Sequence, residues 1–81
     1  METTLTLRVD DAEAENILAA VRRVDGVRIA KQLKPDSKSS LGRSMAYALV
    51  EDNADVEAVR RKISQVAGVR QCSVPPDRFA L

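Results

Sequence analysis

The feature that most constrains the fold of this 81-residue chain is an internal repeat with a period of 42 residues. Segments 10–28 and 52–70 align without a gap, and seven of the nineteen aligned pairs are identical. A solenoid needs about three or more stacked repeats to bury a continuous core. Two copies therefore indicate one domain built from two similar halves. The identical pairs are Asp10/Asp52, Ala12/Ala54, Glu15/Glu57, Val24/Val66, Gly26/Gly68, Val27/Val69 and Arg28/Arg70.

Each half of the repeat has the pattern of a strand, a helix and a second strand. Residues 3–9 alternate apolar and polar side chains, which is typical of a strand with one buried face. Apolar residues recur at helical spacing in residues 12–24, where Asp10 and Glu13 resemble a capping box and Gly26 ends the helix. The other predicted elements are strands at 27–33, 44–50 and 69–74, a loop at 34–43, and a helix capped by Asp52 or Asn53, with its apolar stripe on 56–66 and its end at Gly68.

This β-α-β-β-α-β order predicts an α+β, ferredoxin-like fold, in which a four-stranded antiparallel sheet carries two helices on one face. We expect one domain over residues 1–76 and an extended tail over 77–81, because the Pro75-Pro76 pair closes the last strand.

The repeat also predicts which strand residues share a face of the sheet. An offset of 42 pairs Leu5 with Tyr47 and Leu7 with Leu49, so we expect these residues to face the helices. The uncovered face would then be free for a protein partner, a ligand or a second subunit. Its predicted residues are Thr4, Thr6, Arg8, Ala46, Ala48 and Val50, joined by Ala30 or Cys72.

Composition disfavours catalysis and metal binding. The chain has no His and one Cys, so it lacks the commonest acid/base at neutral pH and cannot form a Cys-x-x-Cys clamp or an intrachain disulfide. We expect a protein that is not an enzyme and holds no cofactor. No apolar run is long enough to span a membrane, and residues 1–4 lack the pattern of a signal peptide. These features predict a cytoplasmic protein that does not bind membranes.

Three local features have a structural and a functional interpretation. The carboxylates of residues 10–15 could hold a hard cation, but the matching acids at 52–57 favour helix capping in both halves. Cys72 has no activating base nearby in the sequence and is expected to be a small buried residue. The tail, with Arg78, Phe79 and Leu81, either covers the domain's own edge or inserts into a partner.

The near-zero net charge hides an uneven distribution. Residues 1–16 carry one positive and five negative charges, and residues 17–43 carry seven positive and two negative. The middle segment is therefore a candidate site for an anion or a nucleic acid, with a solvated surface as the structural alternative. One Tyr and one Phe offer little base stacking, which disfavours nucleic acid. The candidate anion-binding residues, within the basic segment 22–43, are Arg28, Lys31, Lys34, Lys38 and Arg43.

The element order and the Val24-Asp25-Gly26-Val27 motif that closes the first helix resemble the heavy-metal-associated domain of copper chaperones, over about residues 3–75. That family binds soft metal through a Met-x-Cys-x-x-Cys loop before its first helix. Here the equivalent stretch, residues 9–13, has neither Met nor Cys, and carboxylates do not replace thiolates as ligands for Cu(I). The resemblance thus implies the scaffold without its metal site. Subtilisin-type propeptides are similar in strand order and tail, which would make residues 77–81 inhibitory.

Taken together, these patterns predict a non-enzymatic binding or regulatory module. It would contact a protein partner, or form a homodimer, through the open sheet face. Two alternatives stay open: anion or nucleic-acid binding by the basic segment 22–43, and propeptide-like protease inhibition by the tail.

Overall fold

The computed structural model describes residues 3–74, which form a single antiparallel sheet with helices packed against it. The strands are β1 (Thr3–Val9), β2 (Val27–Gln32), β3 (Met45–Val50) and β4 (Val69–Ser73). The helices are α1 (Ala14–Val21), α2 (Ser40–Arg43) and α3 (Val56–Ser64), and a 3-10 turn at Asp11–Glu13 precedes α1. The strands lie in the order β2-β3-β1-β4. The α+β, ferredoxin-like prediction is confirmed.

The helix starts differ in detail from those that the sequence predicted. Asp10 does act as a cap, because its carboxylate accepts the Ala12 N–H at 3.1 Å, but it caps the 3-10 turn, and the Glu13 side chain makes no capping bond. In the second half the cap is Asp55, not Asp52 or Asn53. Its side chain accepts the N–H groups of Glu57 and Ala58 at 3.1 and 3.3 Å. Asp52, Asn53 and Asp55 are all residue types that can accept the free N–H groups of a helix's first turn, so the sequence could not distinguish them.

The loop predicted at residues 34–43 contains the short helix α2. Ser39 supplies its N-cap, since its Oγ accepts the Gly42 N–H at 3.0 Å. Arg43 ties this loop to the first half: one guanidinium nitrogen donates to the Ser37 carbonyl at 2.9 Å and the other to the Asp11 carboxylate at 3.1 Å. The connection is therefore folded onto the domain.

Two glycines end the segments after α1 and α3 in equivalent conformations. Gly26 has φ +97° and Gly68 has φ +92°, a backbone conformation that residues with a Cβ rarely adopt. Their carbonyls bind the opposite halves of the repeat. The Asp10 N–H donates to the Gly68 carbonyl at 3.0 Å, and the Glu51 N–H donates to the Gly26 carbonyl at 2.9 Å.

The hydrophobic core lies between the sheet and helices α1 and α3. From the helices it receives Ala14, Ile17, Leu18, Val21, Val59 and Ile63. We call the strand side of this core the helix-covered face of the sheet. Its buried residues are Leu5, Leu7, Val9, Ala30, Ala46, Ala48, Val50 and Cys72.

The predicted phase of β3 is wrong. Direct partners in antiparallel strands share a face, and Leu5 pairs with Ala48, Leu7 with Ala46 and Thr3 with Val50. Ala46, Ala48 and Val50 are 0% exposed beneath the helices, and so is Ala30; Cys72 is 7% exposed. Tyr47 and Leu49, expected in the core, lie on the opposite face and are half-buried.

The physical reason is one additional residue between strand and helix in the second half. Four residues separate Val9 from α1, whereas five separate Val50 from α3. The helices keep the offset of 42, as in Ile17 and Val59, but the strand ends Val9 and Val50 are 41 apart. Because side chains alternate with period two, a shift of one residue moves every side chain of β3 to the other face.

Candidate functional site

The face of the sheet opposite the helices is the strongest candidate for a functional surface. Register places its residues in three rows across the strands. One row contains Ile29, Leu49 and Thr4, the next Lys31, Tyr47, Thr6 and Ser73, and the last Met45, Arg8 and Gln71. We call these ten residues the open face. Leu33 adjoins the last row, since its N–H donates to the Met45 carbonyl at 2.9 Å.

The open face is divided into an apolar half and a polar half. Strands β2 and β3 contribute Ile29, Met45, Tyr47 and Leu49, which are all half-buried. Leu33 beside them is 48% exposed. Strands β1 and β4 contribute the hydroxyls of Thr4, Thr6 and Ser73 together with Arg8 and Gln71. Within residues 3–74 no helix covers this face.

The four strands contain cations and no carboxylate. Arg8, Arg28, Lys31 and Arg70 lie in strands, whereas every Asp and Glu of residues 3–74 lies in a helix, turn or loop. Of these cations, Arg8 and Lys31 belong to the open face and are exposed. Neither forms an ion pair with a carboxylate of the described chain. The open face therefore combines apolar side chains with two positive charges that have no carboxylate partner within residues 3–74.

Other arginines are engaged with acidic side chains. Arg22 reaches Glu15 at 3.5 Å and donates from Nε to the Ala30 carbonyl of the edge strand at 2.9 Å. Arg70 reaches Asp10 at 3.5 Å. Arg60 donates to both carboxylate oxygens of Glu57, and these hydrogen bonds lower the pKa of Glu57 and raise that of Arg60. Arg8 and Lys31 differ from these arginines in lacking an ion pair within residues 3–74, and they differ from the other cations without one in their position on the open face.

The candidate anion-binding residues do not form one cluster. Lys31 belongs to the open face, while Arg43 is half-buried between Asp11 and the Ser37 carbonyl. Arg28 lines a shallow cavity with three residues of the 51–53 segment, Glu51, Asp52 and Asn53. Lys34 and Lys38 are exposed in the connection before α2. The basic segment is thus dispersed over several surfaces, and three of its arginines, Arg22, Arg28 and Arg43, lie near acidic residues.

The acidic turn before α1 has structural partners. Asp10 caps the 3-10 turn and Asp11 binds Arg43. Among residues 3–74 no group of three His, Cys, Asp or Glu side chains is placed to hold a metal ion.

Two shallow cavities occupy equivalent positions in the two halves of the repeat. Each lies between the helix start of one half and the closing glycine of the other. They measure about 290 and 350 Å³. The first contains Asp10, Glu13 and Gly68, and the second contains Glu51, Asp55 and Gly26. Their acidic residues include both helix caps, so the cavities follow from how the two halves join.

Cys72 lies on the helix-covered face, and it is the free cysteine of the chain. Burial raises the pKa of its thiol to about 11. The thiol is therefore protonated at neutral pH and a poor nucleophile. The candidate tail residues Arg78, Phe79 and Leu81 lie outside the described residues.

Comparisons with protein-family models, with curated proteins and with solved structures find no match. No helix within residues 3–74 is long and apolar enough to cross a membrane. The interpretation of the site therefore depends on its chemistry.

The sequence prediction placed Thr4, Thr6 and Arg8 on the open face, where the structure has them, and missed the apolar half. Residues 45–50 read Met-Ala-Tyr-Ala-Leu-Val, which is apolar on both faces. Such a run gives no phase by periodicity, although it does indicate that both faces make contacts. The large side chains of this run were the available signal for Met45, Tyr47 and Leu49.

Proposed function

We propose that this chain is a small non-enzymatic binding module whose open face contacts a protein partner. The observation that supports the proposal is the apolar half of that face, where Tyr47 and Leu49 occupy the central strand β3 and nothing in residues 3–74 covers them. Contiguous apolar surface bordered by polar residues is typical of protein interaction sites. The Tyr side chain adds a rigid anchor of the kind that dominates binding energy.

The resemblance to heavy-metal-associated domains fits this proposal as a scaffold that lacks the metal site. In the turn where that family carries its thiolates, Asp10 and Asp11 serve as a cap and an ion-pair partner. The module would therefore act by surface complementarity and not by ligand transfer.

Nucleic-acid binding is the weaker candidate. Single-stranded nucleic acids are bound by stacking bases on aromatic side chains, and the open face offers one, Tyr47. Its neighbours Ile29, Met45 and Leu49 are aliphatic or thioether side chains that pack against apolar groups.

The test is affinity capture from cell extract by the full chain, with each recovered protein quantified for wild type and Tyr47→Thr. Threonine keeps the β-propensity of the position while removing the ring. We expect a specific partner whose recovery falls at least about tenfold, since loss of a buried interface aromatic costs about 2 kcal/mol or more.

The matched control is Leu41→Thr, which removes an apolar side chain that is 58% exposed in α2, away from the open face. Recovery of the same partner should be unchanged. Capture that is lost equally in both variants, or in neither, would contradict the proposal.

A further inference from the structure

The positive charge of the open face indicates which chemical class of partner it can bind. On the basis of the proposed function, we infer that the docking segment is acidic and amphipathic: its apolar side chains cover the β2–β3 half of the face, and its carboxylates pair with Arg8 and Lys31.

The two cations of the open face lie on either side of β3. Lys31 is the direct neighbour of Tyr47 in β2, and Arg8 is the direct neighbour of Met45 in β1. They stand on opposite sides of β3, one row apart. With strands about 4.8 Å apart and rows about 6.7 Å apart, their Cα atoms are separated by about 12 Å. A segment lying along β3 would have one cation on each flank.

A partner that covers Met45 and Tyr47 also removes water from the adjacent guanidinium and ammonium groups. Covering a charge without pairing it costs free energy, whereas a carboxylate at the interface offsets that cost and adds a hydrogen bond. Arg8 and Lys31 have no acidic partner within residues 3–74, so carboxylates of the partner would supply the compensating charge.

The charge of the open face disfavours a second copy packed face to face. In a two-fold interface the same patch meets itself, so two open faces would bring together four cations and no carboxylate from the strands. Opposed like charges at an interface disfavour the pairing. The same face is complementary to an acidic segment of another protein.

The probe is a random 12-residue peptide library displayed on phage and selected against the immobilised full-length chain. We expect the enriched peptides to carry net negative charge together with two or more large apolar residues. Synthetic copies should shift the amide resonances of β1 and β3, including Thr6 and Tyr47, in a nitrogen-15 correlation spectrum.

Charge variants separate recognition of the face from general attraction. The double variant Arg8→Gln/Lys31→Gln should weaken binding of the selected peptides by about tenfold or more. Lys34→Gln/Lys38→Gln changes the net charge equally in the exposed connection before α2 and should alter binding less than about twofold. Equal loss in both variants would overturn the inference.

The acidic partner and the open-face interaction site can fail separately. Neutral or basic peptides that bind the open face and depend on Tyr47 would overturn the acidic partner but leave the proposed function standing. A library that yields no peptide mapping to the open face would count against both. A thymidine dodecamer that binds this face with dependence on Tyr47 would replace the protein partner by a nucleic acid. A dimer in sedimentation equilibrium that Tyr47→Thr dissociates would replace it by a second copy.

Discussion

The two faces of the sheet are built from the same strands, yet they place opposite demands on sequence. The helix-covered face holds small residues where the helices approach, with Ala30, Ala46 and Ala48 fully buried. The open face holds larger side chains on the same strand, with Tyr47 and Leu49 half-buried. On β3, therefore, a large apolar side chain is not a sign of the core. Close packing under α1 and α3 requires little volume on β3, and the larger groups point away from the helices.

The largest expected effect comes from placing one carboxylate on each face. Ala48→Asp puts a charge among fully buried side chains with no cation beside it, and we expect a loss of more than about 4 kcal/mol, which leaves the chain unfolded. Tyr47→Asp, one residue earlier, should cost about 1 kcal/mol through lower β-propensity. Circular dichroism and urea unfolding measure both variants. Similar losses at the two positions would contradict the assignment of faces.

The glycines that end the helical segments should show the next largest effect. A Cβ on Gly68 would lie 2.7 Å from Ile17 Cγ1, and one on Gly26 would lie 2.7 Å from Val59 Cγ2. With φ near +95° in both, alanine at either site should cost about 2 kcal/mol. Ser73→Ala on the open face is the control and should change the free energy of unfolding by less than about 0.5 kcal/mol. A neutral Gly68→Ala would show that this end of the covered face is not tightly packed.

A smaller effect is expected at the caps of the helices that cover the sheet. Asp55→Ala removes the acceptor for two N–H groups of α3 and should cost about 1 kcal/mol. Asp10→Ala removes the acceptor for one N–H group of a short 3-10 turn and should cost less. Asp36→Ala in the connection before α2 is the control for loss of charge. Urea midpoints rank the three variants, and a larger loss at Asp10 would reverse the stated order.

Cys72 provides a pH test in which the free energy of unfolding is unaffected by its titration near neutral pH. Its folded-state pKa, about 11, is above the ordinary thiol value of 9.0, because burial disfavours the thiolate. The stabilising contribution is therefore complete below pH 9 and is lost as the pH rises from about 9 to 11, since the unfolded chain ionises first. Urea midpoints should fall more steeply over this interval for wild type than for Cys72→Ala.

Alkylation extends the same comparison to the open face. At pH 8 native Cys72 should react slowly with iodoacetamide. A thiol one position later, introduced as Ser73→Cys in the Cys72→Ala background, should react at the rate of an exposed cysteine. Comparable rates would place both positions on the same face.

The sequence carried enough information for the fold, and the reason is physical. Alternation in residues 3–9, helical spacing in 56–66 and the repeated glycines are local signals that tertiary packing did not override. The phase of β3, in contrast, could not be read from a local pattern. It depends on one extra residue in an exposed connection, and the six apolar residues of β3 satisfy either phase. The prediction for β1 was correct for Thr4, Thr6 and Arg8, because polar and apolar residues alternate along this strand. Asp10 was correctly predicted to be a cap, whereas the cap of α3 was assigned to Asp52 or Asn53 because several residues of capping type stand near that helix start.

The repeat that is linear in the sequence is interleaved in space. Strand β1 of the first half lies between β3 and β4 of the second, and β3 lies between β1 and β2 of the first. Each closing glycine also accepts a hydrogen bond from the chain that leaves a strand of the other half. A fragment holding one half would have both edges of its central strand, β1 or β3, unpaired. Two such fragments would have to meet to complete either one, so cutting the chain between the halves converts a folding reaction into an association reaction whose midpoint depends on concentration.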